Sequence, residues 1–129
     1  MMNCDSSHST GVAPCILIVD DDPQFRKALH LALGSCGYQV TDAIDGEGAL
    51  ASVASSTPDV VVLDWQLPGI DGIQTCREIR ARADVPVIIV SANRPMSHTM
   101  VWEAGAVGYL TKPFSMNELV THIESALKN

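Results

Sequence analysis

Asp20, Asp21, Asp64, Ser91 and Lys112 are the residues whose types and spacing point to chemistry, because each stands at the end of a short apolar run. Asp20 and Asp21 follow Ile16-Leu17-Ile18-Val19, and Asp64 follows Val60-Val61-Val62-Leu63. Ser91 follows Val87-Ile88-Ile89-Val90, and Lys112 follows the run from Val107 to Thr111. In a parallel sheet the ends of such runs share one edge, so these groups converge. Carboxylates held ~4 Å apart repel by about 1 kcal/mol per pair in water and about 4 kcal/mol at an effective dielectric near 20. A cation must offset that. Oxygen donors without Cys or His favour Mg²⁺ over zinc, and Mg²⁺ keeps waters and accepts a phosphate oxygen as a further ligand. Asp64 then reads as a carboxylate nucleophile able to form an acyl phosphate. Mg²⁺ and the Lys112 ammonium neutralise phosphoryl oxygens in flight, and the Ser91 hydroxyl can hydrogen-bond one after arrival. Singly, an Asp after a strand is commonly a turn residue or cap, and a Lys-Pro is commonly a loop. Their joint placement carries the weight.

The elements that position these groups follow from the apolar patterning. Asp22 before Pro23 marks a helix start, and Phe25, Ala28, Leu29, Ala32 and Leu33 share one face until Gly34 and Gly37 end it. The run from Tyr38 to Ala43 leads into a second helix with Leu50, Val53 and Ala54 inward. Pro58-Asp59 opens the Val60 run, whose unbroken apolar character suits a strand buried on both faces. After the loop from Leu67 to Gly72 a helix bears Ile73, Cys76 and Ile79. A fourth helix follows Pro95 and ends near Ala104, with Gly105 closing it. Ser115 with Glu118 forms a capping box for a last helix that buries Met116, Leu119, Val120, Ile123 and Leu127. Five strand–helix units imply an α/β fold, a doubly wound parallel sheet with right-handed crossovers.

The 129 residues suit one domain, expected from Cys15 to the C-terminus after a flexible leader at Met1 to Pro14. The leader lacks the charged start and apolar core of a secretory signal. At 47% apolar and 18% charged, the composition is that of a globule with a core. A net charge of −7 without a basic stripe argues against direct nucleic-acid binding. No apolar run is long enough to span a bilayer. Cys4, Cys15, Cys36 and Cys76 form no CxxC pair and are expected to be thiols in a reducing cytosol.

Residues 16 to 127 resemble the response-regulator receiver family of two-component signalling, the CheY-like superfamily. The resemblance rests on Ile16 to Asp22, Val62-Leu63-Asp64-Trp65-Gln66-Leu67-Pro68-Gly69-Ile70-Asp71-Gly72, Val90-Ser91-Ala92 and Gly108 to Phe114. It implies a flavodoxin-like (βα)5 sheet of strand order 2-1-3-4-5 and Mg²⁺-dependent phosphoryl acceptance by Asp64. It implies Asp21 as a direct metal ligand, Asp20 acting mainly through a coordinated water, and the Gln66 carbonyl as a third protein ligand. Ser91 takes the hydroxyl switch position, Tyr109 the aromatic switch position and Lys112 the phosphate-contacting one, with a cis Lys112-Pro113 peptide. The implied donor is a histidine kinase or histidine phosphotransfer protein in the cytoplasm. The implied output is a changed surface of fourth helix, fifth strand and fifth helix, read by an output domain or effector still to be named. Such a domain is a switch that loads and unloads itself, not an enzyme with a turned-over substrate.

Some positions depart from the pattern. The stretch from Ser91 to Gly105, with Asn93-Arg94-Pro95, is one residue shorter than is common, and Val107-Gly108, His122 and Glu124 replace the charges expected of winged-helix regulators. Gln66 and Asn93 would flank the phosphoryl group. An aspartate-nucleophile phosphatase of the haloacid-dehalogenase type would need a second Asp where Gln66 stands. A flavin-binding domain would need a neutral or hydroxyl-bearing loop where Asp20 to Asp22 stand. A receiver reduced to a scaffold would lack acceptor, metal or lysine positions, and all are filled. The last helix nearly reaches the chain end, leaving open a single-domain messenger or a piece of a longer regulator or hybrid kinase.

Overall fold

The runs at Ile16 to Val19, Val60 to Leu63 and Val87 to Val90 become strands because their β-branched and long aliphatic residues are buried on both faces. In the computed structural model, which describes residues 13–67, 69, 71–92 and 98–128, the strands are β1 (Cys15–Val19), β2 (Gln39–Ala43), β3 (Val60–Asp64), β4 (Val87–Ser91) and β5 (Gly108–Thr111). They alternate with α1 (Pro23–Ser35), α2 (Gly46–Ser55), α3 (Gly72–Arg82), α4 (His98–Glu103) and α5 (Met116–Lys128). All four strand pairings are parallel, in the order β2-β1-β3-β4-β5. The expected doubly wound sheet is therefore present, with β3 at its centre between β1 and β4.

Alternate residues of each strand face opposite layers. Leu17, Val19, Val61, Leu63, Val87 and Ile89 pack with Ala49, Val53, Ile73, Cys76, Ile79 and Val101 from α2, α3 and α4. Ile16, Ile18, Val60, Val62, Ile88 and Val90 pack with Leu29, Leu33, Leu119, Val120 and Ile123 from α1 and α5. Helix starts are fixed locally. The Asp22 carboxylate accepts from the Gln24 N–H at 3.0 Å. The Ser115 hydroxyl accepts from the Glu118 N–H at 3.1 Å, and the Glu118 carboxylate accepts from the Ser115 N–H at 2.9 Å. Both caps are those expected.

Three details differ. Ala54 is exposed and Ala49 takes its inward place, because α2 is so rich in small apolar residues that their pattern does not select a face. Ala28 on α1 is likewise exposed. β5 starts at Gly108, with Val107 exposed before it. Gly105 closes the turn after α4 at φ +97°, a conformation that favours glycine. The expected start of the fourth helix after Pro95 lies outside the described residues, as do Asn93 and most of the expected leader. Among the described residues no helix is long and apolar enough to cross a membrane.

Candidate functional site

The carboxyl edge of the sheet is assembled by backbone bonds just beyond each strand. At the end of β1, the Asp20 N–H donates to Ala43 of β2 at 3.2 Å, and the Asp20 carbonyl accepts from the Arg26 guanidinium at 2.8 Å. The Asp20 carboxylate accepts from the Asp22 N–H at 2.9 Å, which tightens the loop into α1. Asp64 ends β3, and the next N–H, that of Trp65, donates to the Val90 carbonyl at 2.8 Å. The Lys112 N–H donates to the Ser91 carbonyl at 2.7 Å, so the ends of β4 and β5 are held together. The Lys112-Pro113 peptide is cis, as the resemblance implied.

These bonds bring Asp20, Asp21 and Asp64 together, each offering a carboxylate oxygen within 4.8 Å of the others. Asp20 and Asp64 are buried and Asp21 is exposed. Ser91 is buried at the end of the neighbouring strand. Burial pushes the Asp64 carboxyl up to about 6, the adjacent Asp20 charge pushes the same way, and Lys112 and the Gln66 N–H pull back down. That N–H reaches an Asp64 oxygen at 3.3 Å. The Lys112 ammonium sits 3.0 Å from an Asp20 oxygen, so its closest carboxylate is Asp20 and not the Asp64 that ends β3. A cluster of carboxylate oxygens without nitrogen or sulfur fits a hard divalent cation of the Mg²⁺ type. Tyr109 pairs in register with Ile89, and its half-buried ring packs on the α2–α3–α4 layer with the hydroxyl buried. It stands three positions before Lys112 along the chain.

Sequence reasoning missed three supports. Arg26 reaches from α1 both to the Asp20 carbonyl and to Asp42 of β2, at 3.4 Å, and its place one turn after Asp22 was the available signal. Phe25 packs against the core as its helical spacing predicts, and its ring centroid also lies 3.9 Å from the Lys112 ammonium. Gly72 closes a loop in the sequence pattern, but a Cβ there would lie 2.5 Å from the Asp64 carbonyl oxygen and 2.6 Å from Trp65 Cα. No pattern around it announces that closeness. The cysteine expectation needs correction: Cys15 and Cys76 are free, whereas Cys36 is disulfide-bonded. Spacing along the chain cannot show which Cβ atoms approach within bonding range.

Comparison with known proteins agrees with this geometry. Residues 16–124 match the family model described as response regulator receiver domain. The chain is 40% identical over 115 residues to the response regulator MprA of Mycolicibacterium vanbaalenii, covering 88% of this chain and 50% of that protein. It is 40% identical over 114 residues to the transcriptional regulatory protein KdpE of Mycobacterium tuberculosis, with 88% and 50% covered. The chain thus spans about half the length of these curated relatives. Among solved structures, the BeF3-activated receiver domain of Klebsiella pneumoniae RstA superposes with a TM-score of 0.83 at 29% identity, covering 89% of this chain and 99% of that one. The chemotaxis protein CheY4 of Vibrio cholerae gives 0.84 at 27% identity, covering 90% and 100%. With an acidic edge built as such a switch requires, and a family match over most of its length, this chain belongs to the response regulator receiver domains of two-component signalling.

Proposed function

We propose that Asp64 is the phosphoryl acceptor and that a phosphohistidine on a histidine kinase or phosphotransfer protein is the donor. The convergence of Asp20, Asp21 and Asp64 beside the Lys112 ammonium carries this reading. A raised carboxyl that is still ionised at neutral pH is a poorly solvated, and so more reactive, nucleophile. Its oxygen forms the new P–O bond as the P–N bond to the donor imidazole breaks, and the bonding pair stays on the imidazole nitrogen. Asp21, Asp20, Asp64 and the Gln66 carbonyl would hold Mg²⁺, which supplies charge neutralisation for the phosphoryl oxygens. Lys112 contributes the second positive charge and Ser91 a hydroxyl donor to the arrived group.

Ser91 and Tyr109 then couple the site to the surface of α4, β5 and α5, a two-state change biased by one modification. Met100 and Trp102 of α4 and Val107 before β5 are exposed there, apolar groups available to an effector or output domain. Return to the resting state needs only water attacking the acyl phosphate, so the domain acts as a self-resetting cytoplasmic switch. Nucleic acid, where the regulator controls transcription, would be contacted by an output domain, because this chain carries a net charge of −7.

Acetyl phosphate tests the assignment directly. With Mg²⁺, intact mass spectrometry should show one phosphoryl adduct on the wild type and none on Asp64→Asn, and chelator added before the donor should prevent the adduct on the wild type. An equal adduct on Asp64→Asn would sink the assignment.

A further inference from the structure

We propose that Phe25 is a positioning residue for phosphoryl transfer, holding the Lys112 ammonium at the site through a cation–ring contact. The inference rests on the reading of Lys112 as the cation that meets the phosphoryl oxygens. Three observations support it. The Lys112 ammonium lies 3.9 Å from the Phe25 ring centroid. Its other close partner, at 3.0 Å, is an Asp20 oxygen. The Phe25 ring is itself braced edge-on by Phe114, with centroids 6.1 Å apart and planes at 87°.

The two partners of Lys112 differ in what they offer. Asp20 belongs to the three-carboxylate cluster, so a divalent cation there competes with Lys112 for its charge. The ring is neutral, and no cation at the cluster competes for it. Its π-face attracts an ammonium on its own account. With a divalent cation sharing the Asp20 charge, Lys112 would need a second restraint, because its side chain is 22% exposed and four flexible torsions lead to water. Phe25 supplies that restraint from the first turn of α1, just past the Asp20–Asp22 loop. Phe114 lies two residues beyond Lys112 and joins the same aromatic pair, so both ends of the contact are anchored to the segment that carries the lysine. Leucine at position 25 would fill much of the volume and contribute no quadrupole.

The test compares the full chain with Phe25→Leu, Phe25→Tyr, Lys112→Ala and the Phe25→Leu/Lys112→Ala pair. The first readout needs neither metal nor phosphoryl donor: in NMR spectra the Lys112 side-chain CH₂ protons nearest the ammonium should be shifted upfield by the ring. Phe25→Tyr should retain that shift and Phe25→Leu should lose it. The second readout is the rate of adduct formation from acetyl phosphate with Mg²⁺. Phe25→Leu should be slower by about threefold to fivefold, the size of a partly exposed cation–ring contact, and Phe25→Tyr should restore the rate. In the Lys112→Ala background the same Leu substitution should change nothing further. An unshifted Lys112 in the wild type, or an equal slowing by Phe25→Leu with and without the lysine, would overturn the role of Phe25. A wild type that takes up no phosphoryl group at all would instead overturn the reading of the site, and the NMR shift would still judge the contact.

Discussion

Asp42 and Asp64 are the same residue type, each at or next to the last position of a five-residue strand in one sheet, yet they live under different physics. Asp42 sits on edge strand β2 with its side chain 46% exposed, facing Arg26 at 3.4 Å. Asp64 sits on β3 between β1 and β4, is 8% exposed, and has the Asp20 and Asp21 carboxylates for neighbours. Water and a guanidinium make the first carboxylate comfortable. Burial and like charge make the second expensive, and a divalent cation would relieve that expense. Reactivity at this edge therefore follows from the column of the sheet in which an aspartate stands.

The largest expected contrast is in the pH dependence of stability without metal. The folded Asp64 carboxyl is raised from 3.8 to about 6, so between those values the folded chain holds a proton that the unfolded chain has lost. Stability contributed through this group is therefore present below about 4 and is lost as pH rises towards and past 6, a loss on the order of 3 kcal/mol. In chelator, Asp64→Asn should match or exceed wild-type stability at pH 7.5 and lose that advantage near pH 4, read by denaturant titration. A parallel pH profile for wild type and Asp64→Asn would break the contrast.

Next in size is the support beneath each region. Gly72→Ala drives a methyl into the Asp64 carbonyl and Trp65, and should cost roughly 1–3 kcal/mol together with part of the phosphoryl uptake. Gly34→Ala, in helix α1 with nothing within 4 Å of the new methyl, should instead gain about 0.5–1 kcal/mol and leave uptake intact. Thermal or urea unfolding of the two variants decides it. The smallest effect belongs to the edge pair. Asp42→Asn should change stability by about 0–1 kcal/mol, as exposed ion pairs do, and less at high salt. A loss of several kcal/mol there would show that Arg26 holds the Asp20 loop through Asp42.

The central strands were legible because they are written in adjacent residues, as the unbroken apolar runs Val60 to Leu63 and Val87 to Val90, whereas their order in the sheet came from the family resemblance. The caps at Asp22 and at Ser115 with Glu118 were legible for the same reason, since donor and acceptor lie within three residues. The inward face of α2 was not, because Ala49, Leu50, Val53 and Ala54 are all apolar and only packing chose among them. The list of site residues, Asp20, Asp21, Asp64, Ser91 and Lys112, came from the positions where apolar runs stop. Their energetics came from elsewhere. That Lys112 bonds Asp20, 92 positions away, that Phe25 lies beneath the same ammonium, and that Asp64 is raised to about 6 are results of register between strands distant in the chain. Local patterns fix conformation over a few residues, but the cost of a charge depends on every dipole, ion and water molecule around it, and those neighbours are settled only when the sheet closes.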